Sequence, residues 1–213
     1  MSGYFFSFEG IDGSGKTTLA NYLIEQLKNN GKDVVYVSSV GFEPIDRITD
    51  ELLKDKTIYD PYAHLFLSYA NSRILIKTII EPAIHEDKIV FLDRYYHSSI
   101  AYSLPLGIPL DWLENISSAL LEPHKVIYCD VSVETALSRK NSNIKNVEVA
   151  FDNTHTIDHA FLLYQSKVKE AYKRLINLAP DKYIVVSNEK SIEEAGIFLL
   201  RKIQEIIQKD QKE

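Results

Sequence analysis

Gly10-Ile11-Asp12-Gly13-Ser14-Gly15-Lys16-Thr17 matches the spacing G-x-x-x-x-G-K-[ST] in full. An apolar run, residues 4–8, precedes it, and an amphipathic pattern from Lys16 follows it. That spacing requires a strand, a tight glycine-rich turn and a helix, in that order. Glycines let successive backbone N–H groups curl inward around phosphate oxygens, and the helix N-terminus adds partial positive charge. Lys16 is expected to reach the outer phosphates of a nucleotide, and the Thr17 hydroxyl to join a Mg²⁺ shell. Thr18 continues the same anion-facing turn. The bland alternative is an ordinary glycine-rich turn, but the strand before it and the helix after it argue against that.

The rest of the chain repeats this alternation of short apolar runs and longer helical patterns. Strands are predicted at 4–8, 34–38, 89–92, 125–129 and 183–187, none with strict polar alternation. Strands covered on both faces look like this. Helices are predicted at 16–29, after the N-cap Asp60 and Pro61 through the stretch 65–84 with a bend at Pro82, after Pro109, at 133–139, at 157–178 and at 192–208. The expected fold is a three-layer α/β P-loop NTPase fold. It has about five parallel strands, forms one domain over 1–213 and carries a short lid at about 139–156. The Asn/Ser-rich stretch 141–156 reads as that lid or as a tolerated surface insertion.

A net charge of −6 disfavours broad nucleic-acid contact, yet a few placed cations can still serve one phosphate chain. Cys129 is the single cysteine, so no internal disulfide is available. It sits in an apolar run and is read as a buried small hydrophobe rather than a reactive thiol. The first residues lack the basic start and apolar core of a leader, and no apolar run is long enough for a bilayer. A soluble cytoplasmic protein is the expectation.

Asp93 ends the predicted strand 89–92, where its carboxylate would emerge at the sheet's ligand-binding edge. By itself this position serves equally to cap the next helix. The continuation Asp93-Arg94-Tyr95-Tyr96-His97-Ser98-Ser99-Ile100-Ala101-Tyr102 resembles the D-R-Y-x-x-S-S-x-A-Y signature of thymidylate kinases. Phe8-Glu9-Gly10 through Thr18 is similar to the same family's phosphate loop. Weaker similarity extends through Tyr69-Ala70-Asn71-Ser72-Arg73, Glu81-Pro82-Ala83 and the segment from Tyr164 to Tyr172.

The resemblance implies transfer of the γ-phosphoryl group of ATP to dTMP, with Mg²⁺. It implies that residues 10–18 hold ATP, that Thr17 and Asp93 serve the metal, and that Arg94 grips the acceptor phosphate. It further implies that Tyr69 stacks on thymine and that Arg73 holds the monophosphate. Read without the family, Tyr69 is core packing and Arg73 a solvated charge. Asp12 would meet the acceptor sugar near its 3′-hydroxyl, Tyr102 would crowd the 2′ position, and Ser98 would touch the acceptor. Ser98 and Ser99 are also expected to cap the helix after the strand. His97 is read as a surface residue. Asn188 falls where the family places the donor base, and the family implies a homodimer.

Three positions depart from the family pattern. Phe42 precedes Glu43-Pro44 where an arginine is usual, with Arg47 as a candidate substitute. Ser103 stands where an amide often reads the base edge. Gly13 and Ser14 leave the loop without an arginine, which shifts the expected catalytic charge to Arg139, Lys140 and Lys145. Arg139 is the first choice among these, as a catalytic group stabilising transition-state charge. Two rivals remain open at this level: a kinase of another deoxynucleotide or deoxynucleoside, and a P-loop switch or binding module without kinase activity.

Overall fold

A computed structural model describes residues 3–38, 43–140, 143–189 and 191–210. In chain order the elements are β1 (Tyr4–Glu9), α1 (Lys16–Asn29), β2 (Val34–Ser38), α2 (Glu43–Lys54) and α3 (Pro61–Leu75). A π-helical turn (Ile76–Ile80) links α3 to α4 (Glu81–His85), followed by β3 (Ile89–Asp93), α5 (Tyr96–Ser103) and α6 (Leu110–Ser117). The chain ends with β4 (Lys125–Asp130), α7 (Val133–Lys140), α8 (Ile157–Leu178), β5 (Tyr183–Ser187) and α9 (Ile192–Asp210).

The five strands form one sheet in the order β2-β3-β1-β4-β5, every pair parallel. β1 is central and alternates its side chains between two cores. Phe5 enters the layer built with α3, α5 and α8, alongside Phe161 and Tyr172. Tyr4, Phe6 and Phe8 enter the layer under α1 and α9, against Leu19, Leu23, Leu199 and Ile203. Both faces are therefore covered, which explains the absence of polar alternation in the strands.

All five predicted strands form, with β1, β3 and β4 each extending one residue or more to an acidic end: Glu9, Asp93 and Asp130. The register sets Phe8 beside Asp93 and Glu9 beside Tyr128, so these carboxylates lie along one sheet edge. The chain leaves that edge in opposite directions on the two sides of β1, the place where open α/β sheets bind ligands.

The helix predicted to follow Asp60-Pro61 starts there, and it is interrupted before Pro82 rather than bent by it. Asp60 accepts a hydrogen bond from the Ala63 N–H at 2.7 Å and caps α3, with Pro61 in its first turn. The Glu81 N–H then bonds back five residues to Ile76, a widened turn. Pro82 has no N–H to give to the carbonyl four residues earlier, and the wider turn absorbs that missing bond. α2 was absent from the sequence prediction although Pro44 starts it and Ile45, Ile48, Leu52 and Leu53 repeat at helical spacing.

Cys129 is fully buried in the α1–α9 layer, and burial pushes its thiol up to about 12. The native chain is therefore expected to leave an aromatic disulfide reagent unreacted at about pH 8, and to release one equivalent only on unfolding. Rapid reaction of the folded chain would contradict this packing.

Candidate active site

Gly10, Gly13 and Gly15 adopt φ of 144°, 82° and 81°, conformations that side chains resist. A Cβ at Gly13 would lie 2.4 Å from the Ala136 carbonyl of α7, so this loop has no room for an arginine there. Lys16 folds back, its Nζ donating to the Gly10 carbonyl at 3.2 Å, the Ile11 carbonyl at 3.0 Å and Ser14 Oγ at 3.3 Å. Burial, reinforced by the charge of Arg94, lowers its pKa to about 8. Gly15 caps α1 without a side chain, leaving the first-turn N–H groups for an anion. Of the expected loop residues, Asp12, Gly13, Gly15, Lys16, Thr17 and Thr18 line one cradle walled by Asp93 and Arg94, while Gly10, Ile11 and Ser14 are buried behind it.

Thr17 Oγ1 donates to Asp93 Oδ2 at 2.5 Å, and the Tyr36 hydroxyl donates to the same oxygen at 3.0 Å. Asp93 therefore faces the loop instead of capping α5, whose start has no side-chain cap. A carboxylate and a hydroxyl beside a phosphate cradle are the hard oxygen ligands Mg²⁺ prefers, so these residues fit that ion.

Arg94 follows at φ 67°, a strained value for a residue with a Cβ. Its N–H bonds to the Phe8 carbonyl at 3.0 Å, which locks the turn to β1. The guanidinium donates to Asp12 Oδ1 at 2.5 Å, the Gly10 carbonyl at 3.1 Å, Ser98 Oγ at 3.1 Å and the Tyr102 hydroxyl at 3.3 Å. Burial tends to raise the Asp12 carboxyl, but Arg94 and then Lys16 outweigh it and hold it below the ordinary range. Tyr102 donates to Asp12 Oδ2 at 2.7 Å.

Asp12, Arg94, Ser98, Ser99, Tyr102 and Ser103 meet at one end of a cavity of about 330 Å³. Its other walls come from α2, from α3 through Leu65, Ser68 and Ser72, and from Lys145 and Glu148 of the lid. Arg47 is exposed on α2 and does not line the cavity, so it supplies no substitute arginine there. Phe42 lies outside the described residues.

Four expectations change in three dimensions. Tyr69 and Arg73 share a helix face as predicted, but that face meets α6 rather than the cavity. The Tyr69 hydroxyl bonds Ser117 Oγ at 2.6 Å, and Arg73 donates to the Ala119 carbonyl at 2.9 Å. Ser68 and Ser72, one position earlier, take the cavity side. His97 is buried, with only 4% of its surface exposed, because its ring stacks on Tyr96 and meets Tyr183 of β5 edge-on. Burial and the charge of Lys182 drop its pKa to about 3, so it stays neutral. Ser98 is interior to α5 and bonds Glu9 and Tyr172 instead of capping.

Two of the three expected lid cations, Arg139 and Lys140, are engaged. Arg139 donates to the Asn188 carbonyl at 2.7 Å, and Asn188 Nδ2 donates to the Ser14 carbonyl at 2.7 Å. This chain places Arg139 against the outer side of the phosphate loop. Lys140 pairs with Glu148 at 2.8 Å, and Lys145 stands exposed at the cavity rim.

Sequence reasoning gave no role to Glu9. It ends β1 fully buried, accepting from the Tyr95 N–H at 2.9 Å, from the Tyr172 hydroxyl at 3.1 Å and from Ser98. It thereby braces the residues flanking Arg94. The one available signal was a carboxylate closing an otherwise apolar strand.

These features define a P-loop nucleotide-binding protein with a second, acceptor-sized cavity beside the phosphate cradle. A model of the thymidylate kinase family matches residues 8–196. The chain is 31% identical to a probable thymidylate kinase of Pyrococcus horikoshii, covering 87% of this chain and 88% of that one. It is also 31% identical to a thymidylate kinase of Mycoplasmopsis agalactiae, covering 89% of each chain. A probable thymidylate kinase of Sulfurisphaera tokodaii reaches 40% identity over 63% of this chain and 67% of its own length. The chain belongs to the thymidylate kinase family.

Burial raises the Glu9 carboxyl from its ordinary 4.5 to about 7, against the lowering pull of Ser98 and Arg94. The folded state then holds this proton more tightly than the unfolded chain. Stability from this group is complete below about 4.5 and is lost as pH rises through about 7. Melting temperatures measured across that window should fall with pH, and Glu9→Gln should flatten most of the fall. An unchanged slope in the variant would assign the pH dependence elsewhere.

Proposed function

We propose that this protein transfers the γ-phosphoryl group of ATP to dTMP, giving ADP and dTDP. The observation that carries the reading is the junction of two sites at Asp12 and Arg94. The phosphate cradle opens on one side of this pair and the cavity on the other. Phosphoryl transfer needs no protein nucleophile; it needs two phosphates held in line with their charge neutralised and water kept out.

Lys16 and the loop backbone hold the donor phosphates, with Arg94 between donor and acceptor. Thr17 and Asp93 would hold Mg²⁺, which when bound supplies Lewis-acid neutralisation of the donor oxygens. The Asp12 carboxylate accepts from the acceptor sugar's 3′-hydroxyl, and Tyr102 excludes a 2′-hydroxyl. Tyr69 and Arg73 act in this reading by fixing the α3–α6 wall. Arg139 remains part of the catalytic proposal from the donor side. A cytoplasmic setting and use of the product toward dTTP belong to the same proposal. Among the described residues no helix is long and apolar enough to cross a membrane.

A second acceptor is favoured by one observation. Ser103 lines the cavity where an amide is usual, and Ser68 and Ser72 beside it are small, which leaves room for a differently substituted pyrimidine deoxynucleotide. ADP release with ATP, Mg²⁺ and each nucleoside monophosphate separates the readings. Strong turnover with dTMP, weaker with dUMP and none with ribonucleotides is expected. Preference for dCMP or a nucleoside would reassign the acceptor, and silence with all would leave a binding module.

Arg94→Ala should lower kcat by ~100-fold or more, as loss of a charge clamp on a transferring phosphoryl group does. Asp93→Asn should weaken Mg²⁺ dependence and lower kcat alongside, and chelation of the metal should stop turnover. Arg139→Ala should lower kcat well beyond about twofold; normal turnover removes its catalytic role. We also propose a homodimer, supported by the family and by Tyr62 and Phe66 of α3, exposed beside Trp112 with ring centroids 5.4 Å and 6.0 Å from it. Sedimentation of wild type and Phe66→Glu should show a dimer that the charge splits; a monomeric wild type would refute it.

A further inference from the structure

Gln165 lies on the inner face of α8 with none of its surface exposed. A leucine would fill that place without desolvating an amide, so its polar groups must be satisfied to be tolerated. All of its side-chain hydrogen bonds go to parts of the site. Oε1 accepts from the Asp12 N–H at 3.2 Å and lies 3.2 Å from the Tyr102 hydroxyl. Nε2 donates to the Glu148 carbonyl at 2.8 Å and approaches Asp12 Oδ2 at 3.4 Å. The amide can face only one way: Asp12 N–H demands an acceptor, and the Glu148 carbonyl demands a donor.

Glu148 belongs to the lid, in the short 3₁₀ turn Asn146–Val149. Its side chain pairs with Lys140 and accepts from the Lys145 N–H at 3.2 Å. Next to it Ala150 and Phe151 sit at φ 50° and 57°, left-handed values that a docked backbone must hold in place. One planar amide therefore touches the sugar-facing carboxylate, the group over the 2′ position and the lid backbone together.

We propose that Gln165 is a positioning residue that couples docking of the lid to the geometry of the acceptor sugar site. The inference rests on the dTMP reading above and adds a device to it. With the Glu148 carbonyl docked, the amide is held rigid and presents Oε1 to Asp12 and Tyr102. With the lid lifted, the amide loses its anchor, and Asp12 and Tyr102 lose a shared partner. Acceptor affinity then follows lid position more strongly than donor affinity does, because Gln165 reaches the phosphate loop at Asp12 and bonds neither Lys16 nor Thr17.

The test uses the full chain with Gln165→Leu and Gln165→Met, each checked for cooperative unfolding. KM for dTMP should rise about tenfold, the size of one buried hydrogen bond, while KM for ATP moves less than about twofold. Amide exchange over residues 143–151 should quicken in both variants. Lys140→Met, which loosens the lid from the other side, should raise KM for dTMP alone but add little on top of Gln165→Leu. Folded variants with unshifted dTMP KM, parallel changes for dTMP and ATP, or unchanged exchange overturn the coupling. If neither variant folds, Lys140→Met decides: faster lid exchange without a change in dTMP KM overturns it, and a joint change supports it. A wild type silent on dTMP overturns the acceptor reading and the inference with it; an active wild type with unaffected variants overturns the inference alone.

Discussion

The contact between Arg94 and Asp12 holds the two halves of the site together. It joins the turn after β3 to the phosphate loop after β1, and it exists because those strands are parallel neighbours in a fixed register. Phe8 faces Asp93, so the next residue, Arg94, can bond the Phe8 carbonyl through its N–H and turn its side chain across the loop. A shift of one residue would send Arg94 into the opposite core. The strain at φ 67° is tolerated because four side-chain hydrogen bonds and a neighbouring carboxylate reward it.

Beneath that pair runs a buried polar strip unusual for an α/β core. Glu9, Ser98, Tyr172 and Gln165 are all shielded from water; the first three bond one another and reach Arg94 and the Tyr95 N–H, and Gln165 bonds Asp12. Such networks are costly when half satisfied and rigid when complete. Here the rigidity sits beneath the Arg94–Asp12 pair at the edge of the phosphate loop, where the proposed reaction would tolerate little displacement. His97 lies beside the strip, 3.9 Å from Glu9, and its neutrality keeps a second charge out of that low-dielectric space.

The family departures also find physical reasons. Gly13 cannot carry an arginine because α7 passes too close, and the same closeness brings Arg139 to the loop from outside. The lid's lysine is drawn to Glu148 instead of the phosphate cradle.

Much of this was written in the residues themselves. The phosphate loop, the five parallel strands and the helix over 157–178 follow from local spacing, because glycine torsions, strand apolarity and helical period are properties of short segments, whereas the grouping of Asp12, Arg94, Ser98 and Tyr102 was implied by the family resemblance. What the folded chain alone decided concerns orientation. Tyr69 and Arg73 turn to α6, since rotation of a helix about its axis depends on what packs beside it. Burial of His97 depends on Tyr183 of β5 and Glu9 of β1, both far away in the chain. The role of Gln165 joins α8 to residues far away in the chain, and Glu9 acquires its proton affinity only when the sheet closes over it. Period and propensity are local, whereas desolvation and cross-chain hydrogen bonds come into being with tertiary contact.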